Sequence, residues 1–71
     1  MNVRAYQVVI TPLSDEQGGG FLASVPDLPG CYSDGETPET ALVNVYDAIS
    51  CWIEAAEEMK RPVPPPLRKV A

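Results

Sequence analysis

The chain has 71 residues, 45% of them hydrophobic, with ten acidic against five basic side chains and a formal net charge of −5. That hydrophobic content excludes a wholly disordered chain, and no apolar run reaches the roughly 20 residues that cross a membrane. The size suits one small domain, 1–71, which buries only about 60% of its unfolded surface and so calls for oligomerisation or a partner.

The charge is uneven. Residues 1–59 set Arg4 alone against all ten acids, a balance of −9, whereas residues 60–71 carry Lys60, Arg61, Arg68 and Lys69 with no acid, +4. An acidic body repels phosphate, so nucleic acid is a poor direct partner and a basic protein a good one. No charged segment followed by an apolar one opens the chain, so the expectation is a cytoplasmic protein without a signal peptide. Two cysteines, Cys31 and Cys51, with no histidine and no C-x-x-C spacing, argue against zinc. A disulfide is allowed by number, but a reducing cytoplasm favours two free thiols.

Residues 4–11, rich in β-branched and aromatic side chains, predict a first strand with Tyr6, Val8 and Ile10 on one face, closed by Pro12. Residues 14–20, SDEQGGG, predict a flexible polar hairpin connection. Residues 21–25 predict the returning, antiparallel strand, with Phe21, Ala23 and Val25 sharing a face. Pro26 to Gly30 form a turn, and residues 31–36 a shorter third strand with Cys31 and Ser33 on one side and Tyr32 and Asp34 on the other.

The helix signal is the clearest. Thr37 suits the N-cap, Pro38 the first helical position, and Glu39 the positive end of the dipole. Ala41, Leu42, Val45, Tyr46, Ala48, Ile49, Trp52, Ile53, Ala56 and Met59 make one apolar stripe, predicting a helix over 38–59 that covers one sheet face. Pro62 ends it. Residues 62–66, PVPPP, read as a stiff extended linker, and residues 67–71 as a short strand or a frayed tail. The fold class is α+β: a three-stranded antiparallel sheet with one helix on one face, in the order β-β-β-α, with or without a short fourth strand.

No catalytic set is legible. The commonest general base is missing, the triple glycine opens no helix, and Asp27, Asp34, Glu36 and Glu39 suit turn and helix-end duties better than metal binding. No cofactor is expected. Binding is more plausible. The uncovered sheet face carries Val9, Leu22 and Tyr32, with Ala5 nearby and Asp34 on the same side as Tyr32, and an open apolar face suggests an interface unless these side chains are too few to form a patch. Val43 and Cys51 break the helix pattern on its polar side, as scattered exposed apolar surface or as contacts with another chain.

Tyr6 to Ile10, the glycine-containing hairpin, VPDLPGC at 25–31, GET at 35–37, the Glu-x-Ala-Leu helix start at 39–42 and the helix stop before prolines together resemble the HicB antitoxin family. The resemblance implies a β-β-β-α-β domain like part of a ribonuclease H fold without its catalytic set. It implies a non-enzymatic antitoxin that binds a basic HicA-type mRNA-cleaving toxin and masks its active site, as a homodimer or homotetramer. Many family members carry a C-terminal DNA-binding domain. Too little chain follows Arg61 for one, so DNA binding by this chain is not expected, and residues 67–71 would match a shortened fourth strand. The alternatives are an orphan self-associating domain and a residual ribonuclease H-like nuclease.

Overall fold

The computed structural model describes residues 3–65. Three strands, β1 (Val9–Pro12), β2 (Phe21–Ser24) and β3 (Tyr32–Gly35), form an antiparallel sheet in the order β1-β2-β3. Helix α1 (Pro38–Glu58) follows and lies across one face, mainly against β3 and β2. This is the α+β arrangement that the alternation and the helical stripe predict.

Register assigns each side chain to a face. Ile10, Ala23 and Ser33 form one cross-strand row beneath the helix, and Pro12, Phe21 and Gly35 the next. Val9, Ser24 and Tyr32 form a row on the opposite face, beside Thr11, Leu22 and Asp34. The core lies between sheet and helix and unites Tyr6, Ala23, Val25, Leu28 and Cys31 with Ala41, Val45, Ile49 and Ile53. Leu28, Val45 and Ile49 are its largest fully enclosed side chains, each stabilising the fold by about 1.5–3 kcal/mol.

The helix begins as its sequence dictates. Thr37 is the N-cap, its hydroxyl accepting from the Thr40 amide at 3.1 Å, and Pro38 occupies the first turn. The other end differs from expectation. The helix stops at Glu58, and Met59, placed by periodicity on the buried stripe, is 57% exposed because the chain turns away there. The Lys60 amide donates to the Glu57 carbonyl at 3.1 Å and the Arg61 amide to the Ala56 carbonyl at 2.8 Å. That pair of bonds is a Schellman motif. Lys60 occupies its left-handed position, φ 55°, where glycine is usual.

Two other expectations need correction. The first strand starts at Val9 rather than residue 4, and Val3–Ala5 form a single 3₁₀ turn. Beyond Ser24, which pairs with Val9, the β2 chain leaves for the turn at 26–30, so residues 3–8 have no ladder partner among the described residues. The connection at 14–20 is ordered: Asp15–Gln17 form a 3₁₀ turn closed by a reciprocal capping box between Ser14 and Gln17 and by Gly18 at φ 104°. Residues 62–65, which carry no regular secondary structure, run along the domain. Val63 packs against the core, and the Tyr6 hydroxyl donates to the Pro64 carbonyl at 2.7 Å. The expected alternatives for residues 67–71, strand or tail, lie outside the described residues, as does Pro66.

Candidate functional site

The six residues proposed for contacts divide between two surfaces. Val9, Leu22, Tyr32 and Asp34 share the sheet face that the helix leaves uncovered. Val43 and Cys51 sit on the side of α1 turned away from the sheet; Val43 is 66% exposed, and the Cys51 thiol is exposed and free. Cys31 is also free but enclosed in the core, where burial pushes its thiol pKa up from the ordinary value.

The uncovered face is small and mixed in chemistry. Tyr32 is 64% exposed and Val9 40%, while Leu22 is half-buried between Thr11 and Asp34 in its row. With Leu13, which lies just past the end of β1, Leu22, Tyr32, Ser33 and Asp34 enclose an open hollow of about 340 Å³. Its lining combines two aliphatic residues with a tyrosine, a serine and an aspartate. The Asn44 side-chain amide donates to the Asp34 main-chain carbonyl at 2.8 Å, which ties β3 to the helix. That bond also occupies an acceptor that an edge strand would otherwise present.

A second concavity, about 540 Å³, runs along the end of the helix between Pro29, Trp52, Met59 and the Pro62–Pro64 segment. The Trp52 indole donates to the Pro29 carbonyl at 3.0 Å, so the tryptophan pins the turn at 26–30 to α1. Sequence periodicity could not find either concavity, because both depend on where Leu13 and Pro64 return to the sheet and helix.

The acids of the junction do not assemble into a cation site: among the described residues no three histidine, cysteine, aspartate or glutamate side chains converge. No described helix is long and apolar enough to cross a membrane. The base nearest the chain start, Arg4, lies over the Tyr46 ring at 5.4 Å from its centroid, a cation–π contact. The bases at 60 and 61 follow the end of the helix. None of these three lines the hollow beside Asp34.

Fold and surface therefore define a small acidic α+β domain whose sheet is covered by its own helix on one side only. A family model described as "HicB_like antitoxin of bacterial toxin-antitoxin system" matches residues 6–70. The chain belongs to this family of HicB-like antitoxins. It is similar to a UPF0150 protein of Thermoplasma acidophilum, 36% identical over 59 residues that cover 83% of this chain and 81% of the relative. A UPF0150 protein of Synechocystis is 42% identical over 52 residues, 73% of this chain and 66% of that one. An uncharacterised 14.9 kDa protein from the rep-hol intergenic region of Haemophilus phage HP1 is 39% identical over 59 residues, 83% of this chain and 41% of the phage protein.

Proposed function

We propose that this chain is the antitoxin of a type II toxin–antitoxin pair and that it neutralises a HicA-type mRNA-cleaving toxin by covering the toxin's active site. The observation that carries this reading is the family match over residues 6–70. The charge supports it. A body with a balance of −9 over residues 1–59 attracts a basic protein and speeds encounter with it at low salt. Inhibition by occlusion needs no reacting group on the antitoxin, which suits a chain without histidine. The place of action is the cytoplasm, where mRNA is cleaved, and the working form is a homodimer or homotetramer that offsets the small core.

Co-expression tests this reading. Cells making a HicA-type toxin should resume growth when this chain is induced, and the two proteins should co-purify. Continued growth arrest with the chain present and soluble, and no complex on the column, would contradict it.

A further inference from the structure

The uncovered sheet face carries more than apolar surface. Leu13 and Leu22 line a hollow there together with Tyr32, which is 64% exposed, Ser33 and Asp34, an exposed acidic residue. No cation among the described residues pairs with that carboxylate. Asp34 is held in place by its main chain, which pairs opposite Leu22 in the sheet and accepts from the Asn44 side chain at 2.8 Å. A rigid strand thus displays a negative charge and an aromatic ring beside a greasy hollow of about 340 Å³.

Resting on the antitoxin reading above, we propose that this hollow is the anchor point for an arginine or lysine side chain of the basic toxin. The side chain's methylene stem lies on Leu13 and Leu22, its cation pairs with the Asp34 carboxylate, and the Tyr32 ring flanks the charge. Long basic side chains combine these needs, an apolar stem and a charged head. A cation is favoured both by a carboxylate and by an aromatic face.

Size and charge argue for a toxin rather than a second copy as the occupant. Four-residue strands in a three-stranded sheet give a face on the order of 200 Å², from a rise of about 3.3 Å per residue and a strand spacing of about 4.8 Å. A stable partner interface needs about 800 Å² per side. This face alone therefore does not make a homodimer, and two copies meeting there would each carry a net charge of −5. As an anchor inside a larger contact with a basic protein it meets no such repulsion, and anchors of this kind carry a large share of binding energy.

The test uses the full chain and a catalytically silenced HicA-type toxin, with affinity measured calorimetrically at two salt concentrations. Asp34→Asn and Tyr32→Ala should each weaken binding about tenfold, and Asp34→Lys by roughly a hundredfold. Asp34→Asn should also flatten the salt dependence. Both positions are exposed, so thermal melts should stay close to those of the unsubstituted chain. A toxin variant with one basic residue reversed to glutamate should recover affinity for Asp34→Lys. Failure of the unsubstituted chain to bind toxin overturns the antitoxin reading and this proposal with it. Tight binding by the unsubstituted chain that both Asp34→Lys and Tyr32→Ala retain overturns this proposal alone. So does a sedimentation profile in which the variants change self-association and leave toxin affinity intact.

Discussion

The Tyr6 hydroxyl donates a 2.7 Å hydrogen bond to the Pro64 carbonyl, joining residues 58 positions apart in the chain. Tyr6 is 3% exposed, so its ring belongs to the core while its polar tip reaches the proline segment. An aromatic ring with a polar handle makes both contacts from one side chain.

Tyr6→Phe keeps the ring and removes the donor. It should lower stability by about 0.5–1.5 kcal/mol in urea melts. An unchanged melting midpoint would mean that the bond to Pro64 adds nothing to the stability of the folded domain.

Stability should fall at alkaline pH. Burial first, and the Asp27 charge second, raise the Tyr6 pKa above its ordinary 10.0, and burial raises the Cys31 pKa above its ordinary 9.0. Below those values both groups are protonated in folded and unfolded chains, and their contribution is fully present. As pH climbs past 9.0 and then 10.0, the unfolded chain loses these protons first. It then binds fewer protons than the folded one, and stability declines until the folded groups titrate. Each group adds a slope of at most about 1.4 kcal/mol per pH unit. Cys31→Ala should remove the earlier part of the decline and Tyr6→Phe the later part in melts run across this range. A flat profile for the unsubstituted chain would contradict the burial of both groups.

Gly35→Ala should destabilise by about 1–3 kcal/mol. A Cβ there would come within 2.8 Å of the Thr40 carbonyl carbon and 2.9 Å of the Ala41 Cα, and would also run into the Ala41 amide. All are main-chain atoms of the first helical turn and cannot swing aside. Gly18→Ala is the comparison: its φ of 104° disfavours a side chain, but nothing lies within 4 Å. Its cost should be about 1–2 kcal/mol from backbone conformation alone. A smaller loss for Gly35→Ala than for Gly18→Ala would show that the helix does not sit this close to β3.

Lys60→Gly should raise stability by about 1 kcal/mol, because a φ of 55° costs a lysine about 1–2 kcal/mol that glycine avoids. The lost cation at the helix end returns about 0.3–1 kcal/mol of that gain. A net loss in denaturant melts would place the charge above the backbone strain.

Local signals were legible and tertiary ones were not. Thr37 and Pro38 mark the helix start through short-range hydrogen bonding and a preset φ, so sequence and structure agree there to the residue. Alternation correctly divided Val9, Leu22, Tyr32 and Asp34 from the helix-facing side chains, since a pleated strand leaves no choice of face. Leu28 escaped notice because it sits in a turn, yet it is fully enclosed beneath the helix. β-Propensity extends the first strand back to residue 4 because it does not report whether a partner strand is present to pair with it. The hollow beside Asp34 was half legible. Leu22, Tyr32 and Asp34 follow from strand alternation, but Leu13 and the Asn44 bond depend on the closing geometry of loop and helix.

The most direct test of the central claim is RNA cleavage by a purified HicA-type toxin titrated with this chain. Cleavage should fall linearly with added chain and stop at a fixed stoichiometric ratio, with inhibition weakening as salt rises. Full cleavage at an excess of folded chain would contradict the account.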